Sequence, residues 1–340
     1  MKIKKDYIEL FILSAITVLF ITFSLDAKNG AKNGLTLAEG VIVPSLLPLL
    51  IIFNLVLKTG SGSIIEKLFS PITEKIFRLP KSASSAIIFG LIGGYPTGAI
   101  LTDNLYCNGD IDKETAKRLL RFNVNGGVAF IITAVGTVVL KSEKAGIILF
   151  VSTTISSLII ALLSSLRYEK IKCSDTSYNS MPIGEALNES VEISIKSVLN
   201  ISAYIIVFSA INEMVILPTF VMPFIEITNG IVNNHKSFSL PEIAFLLAFA
   251  GFCIHFQLLT IIKKVEMKYL DFLFWRIAHA VLSYFVCKVI LYFFPIQLAV
   301  FSNVTEIVSE VSYINPTLSI LMILGCAVII FDIEGKKKKC

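Results

Sequence analysis

Ser84–Cys107 reads SSAIIFGLIGGYPTGAILTDNLYC and is apolar enough to enter a bilayer, yet its centre is built to break a helix. Pro96 has no backbone N–H and its ring collides with the preceding turn, while the neighbouring glycines do not resist unwinding. Main-chain groups freed at membrane depth must face protein or a wet cavity, as they do at the solute sites of transporters. The residues of this turn that we predict to bind a solute are Gly94, Tyr95, Pro96, Thr97 and Gly98.

The alternative for the same stretch is a single spanning helix with a proline kink. In that case Gly90, Gly94 and Gly98, spaced four residues apart, form a small-residue face for a neighbouring helix. The two alternatives differ in whether the chain turns back on itself at the centre of the stretch.

The composition excludes a soluble globular protein. Of 340 residues, 55% are hydrophobic and only 16% are charged, and the mean hydropathy is +0.78. Apolar runs of about eighteen residues or more recur along the chain, each long enough to cross a ~30 Å hydrocarbon core. We therefore predict an all-α polytopic protein of the cell membrane with about 7–9 membrane segments.

The net charge of +5 lies in short loops and at both ends, which is typical of a protein oriented on anionic lipid. Membrane lipid is therefore a predicted partner, and nucleic acid is not. Lysines at positions 2, 4 and 5 place the N-terminus in the cytoplasm, before a retained first helix over residues 7–25. The six cysteines form no CxxC pair, so neither a disulfide nor a metal site is predicted.

The first half of the chain alternates apolar and polar segments. Basic residues after the second apolar run indicate the cytoplasmic side and an amphipathic helix on the membrane surface. The predicted order is a polar loop (26–40), an apolar run interrupted by Pro44 and Pro48 (41–57), the basic surface helix (58–81), the broken stretch, a charged helix (108–127) and two spans (124–140 and 147–166).

The second half repeats this order. It has spans over 198–217, 272–294 and 318–333 and a second interrupted run, Pro241–Ile262, broken at Gly251. Two repeats of three crossings each must be inverted, so we predict two inverted repeats with interrupted or re-entrant helices. Lysines after the second run favour a true span there, which leaves hairpin and span both open. The predicted domains are an N-terminal transmembrane helix (1–34), a first Gate-like repeat (35–166), a polar linker (167–195) and a second Gate-like repeat with a basic tail (196–340).

Three segments carry a resemblance to a known family: GLIGGYPTGA (Gly90–Ala99), KRLLRFNVNGG (Lys117–Gly127) and VIVPSLLPLL (Val41–Leu50). The sequence resembles the YlbJ-type sporulation integral membrane proteins, which group with the spore maturation proteins among proteins with a nucleoside-recognition, or Gate, domain. The positions that match the family pattern are Pro44, Pro48, Gly94, Tyr95, Pro96, Gly98, Ala99, Asn125, Gly126, Glu226, Thr228 and Gly230.

The resemblance implies a multi-pass protein of endospore-forming bacteria, in the plasma or forespore membrane, that is needed for sporulation at the spore cortex stage. It also implies a plan related to concentrative nucleoside carriers, whose substrate lies between two hairpins. Those carriers place acidic and amide side chains at the hairpin tips, whereas this chain has GGYPTG and AGFCIH, which argues against a nucleoside. Candidate partners are a small polar solute, other sporulation proteins and a second copy in a homo-oligomer.

Polar side chains inside apolar runs are costly unless paired or wetted, so each is a candidate site residue. The predicted solute-binding set adds Asp103, Asn125, Glu226, His255 and Gln257 to the turn residues. The structural alternative for His255 is a hydrogen bond between helices. Arg276 and His279 share one helix face and suit an anion, although we favour an Arg276 that extends to the interface. The remaining polar candidates are Asn54, Thr102, Asn123, Asn200 and Glu213.

Enzyme signatures are missing from the sequence. GxxxxGK[ST] and HExxH do not occur, and no motif places a nucleophile beside a base, so we predict neither catalytic residues nor a cofactor. The leading hypothesis is a carrier or channel for a small polar solute. The alternative, from another class, is a non-transporting membrane scaffold for spore envelope assembly.

Overall fold

The described part of the chain contains helices and no strands, which confirms the predicted all-α class. The structure is a computed structural model that describes residues 2–166, 181–214, 218 and 220–296. The first half consists of α1 (Lys2–Thr22), α2 (Ser24–Leu37), a π-helical turn (Ala38–Ile42), α3 (Val43–Lys58), α4 (Gly62–Lys75), α5 (Ala83–Gly93), α6 (Tyr95–Cys107), α7 (Lys113–Phe122), a π-helical segment (Ala129–Val139) and α8 (Glu143–Ser165). The second half consists of α9 (Ile183–Met214), α10 (Met222–Ile225), α11 (Ile227–Asn234), a 3₁₀ turn (His235–Ser237), α12 (Leu240–Phe249), α13 (Gly251–Ile261), a 3₁₀ turn (Ile262–Val265) and α14 (Tyr269–Phe293).

Four helical stretches in the described residues are long and apolar enough to cross a membrane. They are α8, α9, α14 and the α12–α13 stretch, Leu240–Val265. Ser24–Ile42 and Leu46–Lys58 meet at a bend of 53°, which is the geometry of a broken span or of a re-entrant loop, and they make a fifth crossing if the pair is one span. The predicted last span, over residues 318–333, and its basic tail lie outside the described residues. The chain is therefore a multi-pass membrane protein.

The helix α9 begins earlier than the sequence predicted. It starts at Ile183, within the predicted linker, whose residues 167–180 lie outside the described part. Its first turns are held against the end of α3, where Lys58 Nζ lies 2.5 Å from a Glu189 carboxylate oxygen. One turn earlier in α3, Asn54 Nδ2 donates to Ser194 Oγ, which is later in α9, at 3.1 Å. These pairs show that α3 and α9 run antiparallel.

The predicted polar loop over residues 26–40 is wrong, because these residues form α2 and the π-helical turn. The reason is a close backbone contact with α9. A Cβ added to Gly30 would lie 2.5 Å from the carbonyl oxygen of Ser209, and one added to Gly34 would lie 2.8 Å from Cα of Ile206. Small residues four apart let two membrane helices approach this closely, even when the rest of the helix is polar.

The helices α5 and α6 form a hairpin and not one kinked helix. Asn123 Nδ2 donates to the carbonyl oxygens of both Ala86, at 2.8 Å, and Gly98, at 3.4 Å. Both oxygens thus lie within reach of one amide, whereas about twelve residues of continuous helix would separate them by ~18 Å. Gly94, with a φ of 103°, makes the reversal, since only glycine adopts that conformation without strain.

The second interrupted run breaks where the sequence predicted but has another shape. Ala250 and Gly251 have left-handed φ values of 78° and 67° and separate α12 from α13. The whole stretch still has the length and hydropathy of a single crossing. A ring nitrogen of His255 pairs with the Phe249 carbonyl at 2.8 Å and so satisfies main chain at the break.

The predicted charged helix is confirmed as α7. Asp112 caps its start by accepting a hydrogen bond from the Thr115 N–H at 2.7 Å. Lys113 forms an exposed ion pair with Glu266, after α13, and their hydrogen bond raises the pKa of the lysine and lowers that of the glutamate. On the buried face, Arg118 donates to the Phe77 carbonyl at 2.8 Å. The helix α7 therefore links the segment before the first hairpin, at Phe77, to the second half of the chain, at Glu266.

We expect Gly30→Ala to lower the Tm of the purified protein, because the added methyl group meets the main chain of α9. Overpacking of this kind costs about 1–3 kcal/mol. Gly40→Ala is the matched control, since no atom lies within 4 Å of the added Cβ. Alanine also favours a helix over glycine by about 1 kcal/mol, so the control should not lose stability. Equal losses in both variants, measured by thermal unfolding in detergent, would contradict the packing explanation.

Candidate functional site

Four breaks in the helices meet at the centre of the bundle. The sequence predicted those at Gly94 and at Gly251, the latter next to Ala250. The third is the non-helical segment of residues 123–127, after α7, which delays the predicted span over 124–140 until Ala129. The fourth is Glu226, whose extended conformation (φ −138°, ψ 113°) separates α10 from α11.

The breaks meet in two pairs through glycine. A Cβ added to Gly127 would lie 2.7 Å from the Gly94 nitrogen, so the hairpin tip and the 123–127 segment touch through bare main chain. In the second pair, a Cβ added to Gly251 would lie 3.0 Å from the Pro223 carbonyl oxygen and 3.3 Å from the Ile227 nitrogen. Only residues without a side chain permit these approaches.

Tyr95 joins the first hairpin to the second half of the molecule. Its buried hydroxyl donates to the carbonyl oxygen of Leu247, in α12, at 2.6 Å. The hydroxyl passes beside Gly126, where an added Cβ would lie 3.2 Å from it. The ring packs edge-on against Phe130 with centroids 6.1 Å apart. The hydrogen bond to α12 therefore depends on a glycine in the 123–127 segment.

Asn123 fills the groove between the two arms of the hairpin. A Cβ added to Gly90 would lie 2.1 Å from Asn123 Oδ1, and one added to Gly98 would lie 1.9 Å from its carbonyl oxygen. Gly90, Gly94 and Gly98 thus all contact the non-helical 123–127 segment, but they do so from the two arms and the tip of a hairpin. The single helix face of the alternative for this stretch is not formed.

A small cavity lies where the breaks meet. Its volume of about 30 Å³ is enough for about one or two water molecules. The walls combine glycine main chain with apolar side chains such as Phe130 and Ile254, and the polar side chains on them include Thr228 and Gln257. Among the described residues, no Asp, Glu, Lys or Arg lines the cavity. An ion would find no side chain of opposite charge there, which favours an uncharged group.

Two larger spaces adjoin this cavity along α6 and α9. The first, of about 260 Å³, shares Pro96 and Gln257 with the cavity and is also lined by Asn200. The second, of about 360 Å³, shares Ile100 with the first and reaches Asp110. The three spaces therefore follow one side of α6 from its charged end to the hairpin tip.

Glu226 caps the helix that follows its break. Its carboxylate oxygens accept the N–H groups of Thr228, at 2.9 Å, and Asn229, at 2.5 Å. The side chain is fully buried. A carboxylate at a helix N-terminus satisfies open donors and faces the positive end of the helix dipole, which explains an acid at this depth.

Arg276 and His279 both pair with main-chain carbonyl groups. Arg276 thereby holds the end of α7, and His279 contacts α8. Arg276 donates to the carbonyl oxygens of Val124 and of Arg121, the latter at 2.7 Å. His279 pairs with the Thr153 carbonyl at 2.9 Å. Arg276 is completely buried, so the expectation that it extends to the interface is wrong. The negative end of α7 draws the guanidinium inward.

A curated relative shares most of this sequence. The sporulation integral membrane protein YlbJ of Bacillus subtilis (strain 168) is 23% identical over 317 residues, which cover 78% of each chain. The chain is therefore similar to YlbJ over most of its length, in agreement with the resemblance that its motifs carry. No family model and no solved structure matches it, so the Gate-domain plan stays a prediction.

The structure divides the predicted site residues into three groups. Those that line the central cavity are Gly94, Tyr95, Pro96 and Gln257. Thr97 and Gly98 follow in α6 but face the hairpin interior, where Thr97 Oγ1 is buried without a partner among the described residues. Asp103 lies two turns further on, with its Oδ2 atom 3.6 Å from Cys107 Sγ.

The other predicted residues have partners within the protein. Asn125 Nδ2 donates to the Phe122 carbonyl at 2.8 Å, and Glu226 caps α11. His255 lies between the Phe249 carbonyl and the Tyr269 hydroxyl, at 2.8 and 3.3 Å, as its structural alternative stated. The structure therefore gives these three residues the task of holding broken main chain.

Sequence reasoning missed several cavity residues. Gly127 directly follows Asn125 and Gly126, which match the family pattern, and Thr228 is itself one of the matching positions. Both groups of residues lie at breaks in the helices, and this position is the signal that could have indicated that they line the cavity. Ile201 and Ile254 carry no such signal, because an isoleucine on a membrane helix is equally suited to lipid, core or cavity.

We expect Asn123→Ala to loosen the first hairpin, because the side-chain hydrogen bonds from Asn123 to the Ala86 and Gly98 carbonyls are then lost. A buried hydrogen bond contributes about 0.5–1.5 kcal/mol. The variant should show a lower Tm and faster hydrogen exchange in α5 and α6. Asn108→Ala, at an exposed position beyond α6, is the control and should match the parent protein. Unchanged exchange in Asn123→Ala would show that another group holds the arms together.

We expect Tyr95→Phe to destabilise the protein by about 1 kcal/mol, because the ring keeps its packing while the hydroxyl bond to Leu247 is lost. Thermal unfolding should show the loss as a lower Tm. Tyr292→Phe removes a hydroxyl from a ring that is 82% exposed and should have no effect. If both substitutions are silent, the hydroxyl does not join the two halves.

Proposed function

We propose that this protein transports a small, uncharged polar solute across the membrane. The observation that carries the proposal is the meeting of four broken helices around one central cavity. Helix breaks at membrane depth are expensive unless the open main chain serves a solute or is enclosed by protein. The hydrogen bonds to main chain at the breaks explain how the fold tolerates them. The cavity between the breaks supports a solute-binding site there.

The order of the helices supports an inverted repeat. The first half runs α2–α3, hairpin α5–α6, broken segment and α8, and the second half runs α9, the α10–α11 pair, broken α12–α13 and α14. The antiparallel packing of α2–α3 on α9 fits halves that cross the membrane in opposite directions. In this scheme Gly94 corresponds to Glu226 and residues 123–127 correspond to Ala250. It replaces the sequence-based pairing of the first broken stretch with Pro241–Ile262.

The adjoining spaces supply a route to the cavity. Amide and hydroxyl side chains line them, among them Asn104 and Asn108 in the outer space and Ser197 and Asn200 in the next. Such groups exchange hydrogen bonds with a solute as it leaves water. The route narrows to the 30 Å³ cavity, so a solute larger than one or two water molecules would require the broken segments to move apart.

The role in sporulation is proposed from the relative. That protein is named a sporulation integral membrane protein, and we infer the same process for this chain. From the family resemblance we further propose the spore cortex stage and the plasma or forespore membrane as the place of action. Transport of a solute into or out of the developing spore unites the two parts of the proposal.

A second candidate is a non-transporting scaffold in spore envelope assembly. The observation that favours it is the internal satisfaction of Asn125, Glu226 and His255 together with the small volume of the central cavity. Under this alternative the breaks only shape the outer surface. Substitutions inside the cavity would then leave function intact.

A swelling assay in proteoliposomes separates the two candidates. We expect the protein to speed the entry of at least one member of a panel of uncharged polyols, sugars and amides. Gln257→Leu should reduce that rate roughly tenfold, because a lost hydrogen bond of ~1.4 kcal/mol is a factor of ten. Phe256→Leu, on the exposed face of the same helix, is the control. Folded protein that passes no solute would favour the scaffold. A Gln257→Leu variant as fast as the control would show that the solute does not pass through the central cavity.

A further inference from the structure

The short helix α4 has the polarity of a membrane-surface helix. One row of its side chains is apolar and exposed, namely Ile64, Leu68, Ile72 and Ile76, with exposures of 68%, 69%, 43% and 47%. These residues are four apart and so follow one face of the helix. The opposite face is buried and partly polar, since Gly62, Glu66 and Thr73 lie against the protein. In water this arrangement would be unstable, so the row faces an apolar medium.

The length and connections of α4 place it along the bilayer and not across it. Its 14 residues extend ~21 Å, which is less than the ~30 Å of the hydrocarbon core. It follows the turn at Gly60, whose φ of 77° ends the membrane helix α3. Thr59 and Ser61 in that turn are polar, as expected where the chain leaves the bilayer.

Basic residues accompany the apolar row. Lys67 and Lys75 are exposed on α4. Lysines beside an apolar helix face extend to the headgroup level while the helix lies among the upper acyl chains. Anionic headgroups attract each such lysine by about 1 kcal/mol, which zwitterionic headgroups do not. The charge on this surface is therefore complementary to an anionic leaflet.

We propose that α4 is an anchor for anionic phospholipid, which inserts Ile64, Leu68, Ile72 and Ile76 between acyl chains and binds phosphate groups through Lys67 and Lys75. The anchor also supports the first hairpin. Ser84 Oγ, at the start of α5, donates to Thr73 Oγ1 of α4 at 2.9 Å, and the Leu79 N–H donates to the Thr73 carbonyl at 3.0 Å. Anionic lipid that holds α4 thus stabilises the base of the hairpin.

The test compares nanodiscs of phosphatidylcholine with nanodiscs that contain phosphatidylglycerol as well. We expect phosphatidylglycerol to raise the Tm and to slow hydrogen exchange in α4 and α5. The double variant Lys67→Gln/Lys75→Gln should lose this gain while keeping its Tm in phosphatidylcholine. High salt should also remove the gain, because exposed charges are screened beyond ~3 Å at 1 M ionic strength.

The control is Lys141→Gln/Lys144→Gln, which removes the same charge from exposed positions just before α8 and in its first turn. It should keep the full phosphatidylglycerol effect. The proposal is overturned if the α4 variant keeps the effect or if the control loses it equally. It is also overturned if Leu68→Gln changes the oligomeric state without altering the response to lipid, because the apolar row would then bind a second copy.

Discussion

Main-chain groups inside a bilayer have no water to bond with, and this constraint governs the structure. Every break in a helix frees N–H and C=O groups that the protein must satisfy from within. Here Asn123 bonds a carbonyl from each arm of the first hairpin, Arg276 the end of α7, and Glu226 the start of α11. Asn125 and His255 likewise bond main chain at the breaks.

The same constraint explains why glycine accumulates at the centre. A broken segment can share its partner's hydrogen-bonding groups only if the two main chains lie in contact. Gly94, Gly127 and Gly251 permit that contact because a Cβ at any of them would meet backbone atoms. The result is a cavity with polar main chain and apolar side chains, enclosed by a bundle whose outer face is apolar.

Sequence reasoning located the breaks at Gly94 and Gly251 because proline and glycine act locally. It predicted α7 and α14 because charge and hydropathy change sharply at their ends. It failed for α2, whose polar residues 26–40 resemble a loop until Gly30 and Gly34 are seen against α9. It also misjudged Arg276, because nothing near it in the chain reveals the carbonyls of α7 that it bonds.

The amino-acid sequence alone established the membrane class, the helical fold and two of the interruptions, since these depend on hydropathy and on the conformational limits of proline and glycine. Only the tertiary structure showed that the first interruption reverses the chain while the second continues a rod. It also separated cavity residues such as Gln257 from residues such as His255 that bond the main chain. The physical reason is that direction after a break, and the partner of a buried polar group, depend on contacts between segments far apart in the chain.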